Sequence, residues 1–327
     1  MGALVGLDIG GTKTAVVAGM AGSDGLSILG RVSFPTAPES RSWREVLATC
    51  VAEARSLVER VIGAPAIDAV GVSCGGPLDS RGGTILSPPN LPGWDDVPVT
   101  RMIADALGCP AFLQNDANAC ALAEWRYGAG RGTRTMVFLT FGTGMGAGLI
   151  IAGRLFEGTN DLAGEVGHIR VSEDGPEGYG KRGSFEGWCS GGGIARLARE
   201  AAEAELAAGR APSFCPTRAE LPGITARAVG EAAESGDACA ISVLATSGRY
   251  LGRGLGIIID IINPERIVIG SIFARCRPFL EPSMEEEIRR EALPGAARVC
   301  AVVPAALGEE IGDYACLSVA VDRKGES

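Results

Sequence analysis

The sequence predicts an α/β protein, because stretches with strand patterns alternate with stretches of helical periodicity along most of the chain. Two apolar hairpin patterns with glycine-rich turns, one at the start and one in the middle, indicate that a similar unit occurs twice. The length of 327 residues exceeds the ~100–200 residues of a typical domain. We therefore expect two α/β domains built on a duplicated plan.

Each hairpin pattern is an apolar strand, a glycine-rich turn and a second apolar strand, predicted over 3–9, 10–13 and 14–18 and again over 136–140, 141–148 and 149–151. A helix begins after Ser42, which has the spacing of a capping box with Glu45, and apolar residues continue at helical spacing to Val61. Further strands are predicted over 69–73, 111–114, 266–270 and 299–303, and further helices over 100–107, 118–127, 192–208, 238–262 and 309–321. Three prolines predict a surface loop over 211–223.

The net charge of −9 offers no basic field for nucleic acid or anionic lipid. No apolar run reaches the ~18 residues needed to span a bilayer, and the residues from Met1 onward lack the basic segment and cleavage site of a signal peptide. The ten cysteines form no CxxC or CxC pair and most lie in apolar segments, which is typical of buried free thiols. We expect a soluble, cytoplasmic protein without nucleic-acid or membrane partners.

The first hairpin turn follows Asp8 and reads Gly10-Gly11-Thr12-Lys13. It is not a Walker A loop, because Thr12 separates Gly11 from Lys13 and strands flank it on both sides. Its backbone N–H groups can approach phosphate oxygens, the Thr12 hydroxyl can add a donor, and Asp8 can hold Mg²⁺ through water. Taken alone, the same residues also fit an ordinary hairpin turn.

The second turn repeats this chemistry, with Thr143 and with glycines at alternate positions from Gly142 to Gly148. Ala147 occupies the last glycine position of a dinucleotide-binding fingerprint, so a Rossmann site is not indicated. Two turns rich in glycine and threonine, facing one cleft, predict a clamp for the phosphates of a nucleotide.

Asn115 and Asp116 follow the strand predicted over 111–114, at the end where α/β sheets usually present ligand groups. Asp116 can take the proton of an attacking hydroxyl group, as a kinase aspartate does. It can also cap the helix that follows, and the two roles are compatible.

His168 is the single histidine of the chain and stands three residues after Glu165. Such a histidine is either a packing residue or part of a polar site. Because Glu186 also follows in the chain, a pocket that binds hydroxyl groups is a second interpretation.

These motifs resemble those of the ROK family, which comprises sugar kinases and related repressors. The shared motifs are LDIGGTK at 7–13, GGP at 75–77, PNL at 89–91 with Trp94, NDANA at 115–119, the turn segment 139–148 and AGEVGH at 163–168. The resemblance implies the actin-like ATPase fold, a duplicated ribonuclease H-like plan with two α/β domains around a cleft. It implies a small N-terminal domain of residues 1–115 plus 305–327, which includes a returning C-terminal helix, and a large domain of residues 116–304.

The resemblance also implies roles for residues of this chain, with Asp116 as the catalytic base. The sugar-binding residues would be Gly76, Asn90, Asn115, Asp116, Glu165, His168 and Glu186, and the ATP-binding residues would be Asp8, Gly10, Gly11, Thr12, Lys13, Thr143, Gly144 and Gly270. Ser271 and Ile272 replace glycines that the family usually has after Gly270. The segment expected to hold adenosine therefore departs from the family pattern.

The function that the resemblance implies is an ATP-dependent hexose kinase of glucokinase type, which uses ATP and Mg²⁺. The family suggests a homodimer or a tetramer, of which we expect the homodimer. The acceptor is left open among glucose, N-acetylglucosamine, N-acetylmannosamine, fructose and allose. A sugar-sensing regulator of the same family is the less favoured alternative, because it would need a DNA-binding helix-turn-helix ahead of the first hairpin turn.

Many members of the family bind a structural zinc ion through the histidine of a GExGH motif and three cysteines of a CxCGxxGC segment. The aligned positions here hold other residues: Glu177, Tyr179 and Ser184. Cys189 nearby supplies at most one thiolate, which is too few ligands for a structural zinc site. We therefore expect no zinc, and expect local hydrogen bonds and packing through Tyr179 and Phe185 to orient His168 and Glu186 instead.

Overall fold

The computed structural model describes residues 2–22, 25–63 and 66–324. Its strands are β1 (Ala3–Ile9), β2 (Lys13–Gly22), β3 (Gly25–Pro35), β4 (Ile67–Cys74), β5 (Leu78–Asp79), β6 (Thr84–Ile85), β7 (Ala111–Asn115), β8 (Met136–Leu139), β9 (Ala147–Ile151), β10 (Arg154–Leu155), β11 (Glu177–Gly178), β12 (Lys181–Arg182), β13 (Arg266–Ile269) and β14 (Ala301–Pro304). Its α-helices are α1 (Trp43–Ile62), α2 (Val99–Leu107), α3 (Asp116–Tyr127), α4 (Phe185–Cys189), α5 (Gly191–Ala207), α6 (Ala226–Glu234), α7 (Ala238–Ile262), α8 (Ile272–Glu291), α9 (Pro294–Ala297) and α10 (Ile311–Lys324). Met1 and residues 325–327, which belong to the expected N-terminal domain, lie outside the described residues.

The chain divides into two compact units. The first unit comprises Met1–Gly132, Gly148–Ala163 and Ala306–Ser327, and the second comprises Thr133–Ala147 and Gly164–Ala305. Both units contain strands and helices, in agreement with the predicted α/β class. The domain boundaries expected from the sequence, after residues 115 and 304, stay a prediction.

The sheet of the first unit has the strand order β3-β2-β1-β4-β7. β1 is its central strand, antiparallel to β2 and parallel to β4. Alternate residues of β1 face opposite sides of the sheet, so Val5 and Leu7 join the core under α1 and α2, whereas Leu4 joins the core under α10. By the same alternation Asp8, near the end of β1, lies on the α10 side of the sheet.

α10 packs directly on this sheet because β1 and β4 carry glycines beneath it. A Cβ atom added to Gly6 would lie 2.3 Å from Sγ of Cys316, and one added to Gly71 would lie 2.1 Å from the backbone oxygen of Cys316. A side chain at either position would push the helix outward. The C-terminal helix predicted over 309–321 is thus confirmed, and it contacts the sheet formed by the N-terminal residues.

In the second unit β13 lies between β8 and β14 and is parallel to both. The helix predicted over 238–262 is confirmed as α7, and α8 packs closely along it. A Cβ atom added to Gly248 of α7 would lie 2.3 Å from the backbone oxygen of Leu280 in α8. α8 is not predicted; it contains Pro278 and Pro282, and proline usually ends a helix.

The other predicted helices and strands are confirmed, most of them within two residues at each end. The capping box of Ser42 and Glu45 is present at the start of α1. The elements that are not predicted are β3, β5, β6, β10, β11, β12, α4, α6 and α9. All ten cysteines lie in the described residues and are free, and six of them are buried. No helix within residues 2–22, 25–63 and 66–324 is long and apolar enough to cross a membrane.

Glu124 of α3 anchors the segment that leads into α10. Its side chain is completely buried. Its carboxylate accepts hydrogen bonds from the backbone N–H groups of Ala129 at 2.7 Å, Ala306 at 3.2 Å and Leu307 at 2.9 Å. A buried carboxylate is costly unless it accepts hydrogen bonds, so these three bonds both satisfy Glu124 and tie the segments after α3 and before α10 to it.

We predict that Glu124→Gln lowers the free energy of unfolding by about 2 kcal/mol, because an amide nitrogen would face N–H donors that now meet a carboxylate oxygen. Denaturant titration followed by circular dichroism measures this change. Glu231→Gln is the matched control, since Glu231 has a side chain that is 61% exposed and pairs with Arg227 on its own helix, α6. Its expected change is within about 0.5 kcal/mol. Equal stabilities of the two variants would show that Glu124 does not anchor the segment.

Candidate active site

Asp8 lies against the backbone of α10. A Cβ atom added to Gly312 would lie 3.1 Å from Oδ2 of Asp8, so the helix approaches the carboxylate as closely as a glycine allows. One residue further along α10, Asp313 forms an ion pair with Arg31 of β3 at 2.9 Å. The predicted Mg²⁺ ligand is therefore half-buried beside a helix and a charged pair.

Burial raises the pKa of Asp8 from 3.8 to about 6. The nearby negative charges of Asp116 and Asp313 raise it as well, whereas the positive charges of Lys13 and Arg31 oppose the shift. Three carboxylates on three different elements are thus close enough to influence one another. Two cations lie near enough to offset part of their repulsion.

The first glycine turn is held by a residue that the sequence analysis missed. The Gly10 N–H donates to the backbone oxygen of Lys13 at 3.1 Å, which closes the turn. Thr36, which is completely buried, donates its hydroxyl to the backbone oxygen of Gly10 at 2.6 Å. The backbone N–H of Thr36 also donates to the oxygen of Thr12 at 3.1 Å. Thr36 follows β3 directly, and no local pattern marks it.

Gly11 packs against a neighbouring backbone group that leaves no room for a side chain. A Cβ atom there would lie 2.3 Å from the backbone oxygen of Asn90, and the φ angle of Gly11 is not in the left-handed region. A predicted ATP-binding glycine therefore lies directly against a predicted sugar-binding residue. Thr12 and Lys13, on the same turn, are exposed.

Asn115, rather than Asp116, caps α3, which corrects the capping role considered for Asp116. Oδ1 of Asn115 accepts a hydrogen bond from the backbone N–H of Ala117 at 2.9 Å. Oδ1 of Asp116, in the first turn of the helix, accepts from the same N–H at 2.8 Å. The Asp116 carboxyl group is accessible to solvent although protein surrounds it. Desolvation raises its pKa, and backbone hydrogen bonds partly offset this shift.

The Gly75-Gly76 segment brings the amide side chains of this unit together. A Cβ atom added to Gly75 would lie 3.5 Å from Nδ2 of Asn90, and one added to Gly76 would lie 3.5 Å from Nδ2 of Asn115. The bond from Gly76 to Pro77 is cis. Three of the predicted sugar-binding residues, Gly76, Asn90 and Asn115, thus lie around one stretch of backbone at the end of β4.

In the second unit the turn between β8 and β9 is organised by Thr140 and Glu186. The backbone N–H of Gly146 donates to Oγ1 of Thr140 at 2.9 Å. Oε2 of Glu186 accepts from the N–H of Met145 at 3.0 Å, and a Cβ atom added to Gly144 would lie 2.9 Å from that oxygen. Here again a predicted ATP-binding glycine lies beside a predicted sugar-binding residue.

The start of α5 also contacts this turn, which is not predicted from the sequence. Ser190 caps the helix through a hydrogen bond from the N–H of Gly193 at 2.9 Å. The N–H of Gly191 donates to the oxygen of Gly142 at 2.7 Å, and the N–H of Gly192 donates to the oxygen of Thr143 at 3.4 Å. The signal in the sequence is a serine followed by three glycines before a helical pattern.

The GEVGH segment lies against the same turn through its two glycines. Gly164 has a φ of 92°, and a Cβ atom there would lie 2.0 Å from the oxygen of Ala147. A Cβ atom on Gly167 would lie 2.2 Å from the oxygen of Met145. Glu165 and His168, which stand next to these glycines, are exposed. The segment thus presents an exposed carboxylate and an exposed imidazole beside two closely packed glycines.

The β11–β12 hairpin contacts His168. The ring of Tyr179 meets the His168 ring edge-on, with centroids 6.4 Å apart and an angle of 84° between the planes. Nζ of Lys181 donates to the backbone oxygen of His168 at 2.7 Å. Within residues 2–22, 25–63 and 66–324, no group of three or more His, Cys, Asp or Glu side chains is arranged to hold a metal ion.

Gly270 is buried at the end of β13, where a Cβ atom would lie 3.3 Å from Cζ of Phe138. Ser271 follows with a φ of 54°, a left-handed conformation that favours glycine. The position at which the chain departs from the family pattern therefore retains a glycine-like backbone.

The first unit has a glycine-rich hairpin turn and, in Asp116, a carboxylate directly after β7, and the second unit has a further glycine-rich turn. Comparisons with known proteins identify the acceptor class as a sugar. The chain belongs to the ROK family, whose profile matches residues 4–319.

Relatives and solved structures align with this chain over nearly its full length. A glucokinase from Thermotoga maritima is 33% identical to this chain over 326 residues, which cover 98% of each sequence. The crystal structure of a ROK hexokinase from Thermus thermophilus is 29% identical with a TM-score of 0.80, and that of a ROK glucokinase from Streptomyces griseus with glucose and AMPPNP is 30% identical with a TM-score of 0.75. Both alignments cover 99% of this chain and 100% of the other. The fold is the actin-like ATPase fold, and the chain is an ATP-dependent sugar kinase.

We predict that Asp8→Asn stabilises the protein at pH 7.5 and changes its stability little at pH 4. The pKa of Asp8 in the folded protein, about 6, lies above the usual 3.8, so between these values the folded protein binds more protons than the unfolded chain. The free energy of unfolding therefore falls as the pH rises through this window, by about 2–3 kcal/mol in all. Asparagine carries no charge and avoids this loss.

Denaturant titrations at both pH values measure the effect. Asp105→Asn is the control, because Asp105 is exposed on α2, and it should change stability little at either pH. If Asp8→Asn is no more stable than the wild type at pH 7.5, the charge of Asp8 does not lower the free energy of unfolding, and the prediction is wrong.

Proposed function

We propose that this sugar kinase transfers the γ-phosphoryl group of ATP to a hydroxyl group of a hexose, with Asp116 as the general base and glucose as the first acceptor to test. The observation that carries the proposal is the placement of Asp116. Its solvent-accessible carboxyl group, in the first turn of α3, stands beside Asn115 and has a raised pKa because of desolvation. A carboxylate with a raised pKa is a stronger proton acceptor once it is ionised.

In the proposed step Asp116 accepts the proton of the sugar hydroxyl group as that oxygen attacks the γ-phosphorus. The bond between the γ-phosphorus and the bridging oxygen breaks, and ADP leaves. Phosphoryl transfer depends mainly on alignment and charge neutralisation. We assign the alignment of the phosphates to the turn around Gly11 and to the turn around Thr143 and Gly144. Mg²⁺ enters with ATP, and we assign Asp8 to hold one of its water ligands.

We assign sugar-binding roles to amide and carboxylate residues. In the first unit these are Asn90 and Asn115, which lie around the Gly75-Gly76 backbone. In the second unit Glu186 uses Oε2 to accept from the N–H of Met145, so Oε1 is the oxygen that we assign to a sugar hydroxyl group. Glu165 and His168 would supply further contacts, since both are exposed beside the closely packed Gly164 and Gly167.

A coupled assay of ADP release with a panel of sugars tests the acceptor. The panel contains glucose, N-acetylglucosamine, N-acetylmannosamine, fructose and allose, and the highest kcat/KM identifies the substrate. A sugar-sensing regulator would bind a sugar in calorimetry and release no ADP. Light scattering of the same sample tests the homodimer that we also propose.

We predict that Asp116→Asn lowers kcat by about 10²–10⁴-fold and leaves the Kd of the sugar nearly unchanged, because the amide keeps the shape of the side chain but cannot accept the proton. Turnover and calorimetry on the same preparation separate the two effects. Asp105→Asn, which removes an exposed carboxylate from α2, should keep full activity. Near-normal turnover of Asp116→Asn would exclude this residue as the base.

We also propose that the chain holds no structural zinc, because Ser184, at one of the aligned positions, and the nearby Cys189 are engaged in other hydrogen bonds. Oγ of Ser184 accepts from the N–H of Gly187 at 3.1 Å and donates to the oxygen of Gly178 at 3.3 Å. The buried thiol of Cys189 donates to the backbone oxygen of Ser247 at 3.4 Å. The contacts from Tyr179 and Lys181 to His168 would hold that segment in place without a metal.

We predict that the purified, chelator-free protein contains far less than one zinc ion per chain by elemental analysis. 1,10-Phenanthroline removes zinc but leaves Mg²⁺, so it should not reduce activity or the melting temperature. Tyr179→Ala should raise the KM of the sugar, whereas Tyr179→Phe, which keeps the ring, should not. About one zinc ion per chain, with activity lost on its removal, would contradict the proposal.

A further inference from the structure

Glu157 is a largely buried carboxylate in the first unit to which the proposed reaction gives no role. Its Oε1 accepts hydrogen bonds from Nε2 of Gln114 at 2.7 Å and from Oγ of Ser80 at 3.4 Å. The same oxygen forms an ion pair with Arg323 near the end of α10. The side chains of Glu157 and Arg323 are only 11% and 25% exposed. One carboxylate therefore joins β7, the residue after β5 and the C-terminal helix.

Gln114 connects this carboxylate with the end of β7. Its side chain is 1% exposed, and its Oε1 accepts from the backbone N–H of Asn115 at 2.8 Å and from Nδ2 of Asn118 at 3.0 Å. With Oε1 engaged in this way, the Nε2 group must point to another acceptor, and Glu157 is that acceptor. Without Glu157, a buried amide nitrogen would lose its partner, and the side chain would turn to find a new one.

The backbone N–H that donates to Oε1 of Gln114 belongs to Asn115, which directly precedes Asp116 in the chain. The orientation of the Asp116 carboxyl group also depends on the backbone, because its Oδ1 accepts from the N–H of Ala117. We infer that Glu157, acting through Gln114, is a positioning residue that sets the backbone from which Asp116 reaches the acceptor. This inference rests on the proposed role of Asp116 as the base.

The expected loss of kcat on removing Glu157 follows from how strongly the reaction depends on the alignment of its groups. A misplacement of about 1 Å can lower a rate about 10²-fold, even when the change lies away from the reacting atoms. Glu157→Ala is therefore expected to lower kcat by about 10- to 100-fold with a smaller effect on the KM of the sugar. Glu157→Gln can still accept from Gln114 and should retain kcat within about threefold of the wild type.

Asp161→Ala is the matched control. Asp161 accepts from the N–H of Ser80 at 3.0 Å and from its Oγ at 2.7 Å, so it supports the same neighbour as Glu157. Both acidic residues follow β10, but no hydrogen bond joins Asp161 to Gln114 among the residues that the structure describes. A merely structural role would make Glu157→Ala and Asp161→Ala similar in melting temperature and in kcat. A positioning role would lower kcat in Glu157→Ala alone, and Glu157→Gln would restore it.

The test is the sugar-dependent release of ADP, with kcat and KM measured for all variants at one pH and with melting temperatures recorded. If Glu157→Ala does not fold, Arg323→Met takes its place, because the Arg323 side chain is a quarter exposed and tolerates replacement. The expected result for Arg323→Met is a loss of kcat of about threefold or more. This loss should also exceed that of Asp161→Ala. The inference is wrong if the wild type is active and Glu157→Ala is equally active. It is also wrong if Glu157→Ala and Asp161→Ala lose kcat to the same extent. A wild type that releases no ADP with any sugar overturns the proposed function instead.

Discussion

The close packing of α10 on β1 and β4 is the constraint on which most of the first unit depends. The helix can lie this close only because Gly6 and Gly71 have no side chains at the contact. At one end Gly312 brings the helix backbone against Asp8, and at the other end Arg323 reaches Glu157. These two positions are about 16 Å apart along the helix. A single packed element thus supports both the carboxylate assigned to Mg²⁺ and the network behind Asp116.

The same packing gathers negative charge where water can only partly solvate it. Asp8 is half-buried and responds to the charges of Asp116 and Asp313, and its pKa of about 6 reflects this repulsion together with desolvation. Arg31 offsets part of the charge through its ion pair with Asp313. The fold therefore holds carboxylates together at some expense in stability. Sites that bind phosphate and metal commonly show this conflict between stability and function.

The glycines of both turns also make room for neighbouring protein groups, which their motif alone does not indicate. Gly11 and Gly144 have no left-handed φ, and each leaves room for a protein group assigned to the sugar, namely Asn90 and Glu186. The residues assigned to ATP and those assigned to the sugar therefore touch within each unit. A larger residue at either glycine would displace its neighbour, so its effect on ATP could not be separated from its effect on the sugar.

Local patterns in the sequence determine the α/β class, the capped start of α1, the full extent of α7 and the positions of the glycine turns, because each depends on residues within a few positions of one another. The resemblance of the motifs adds the family and the actin-like fold. Tertiary structure alone decides which polar groups meet. Thr36 and Glu124 act on residues far away in the chain, and Glu157 reaches Gln114 across 43 positions. No periodicity encodes such pairs. The pKa of Asp8 likewise depends on burial and on charges from β2, β3, α3 and α10, which only the folded chain brings together.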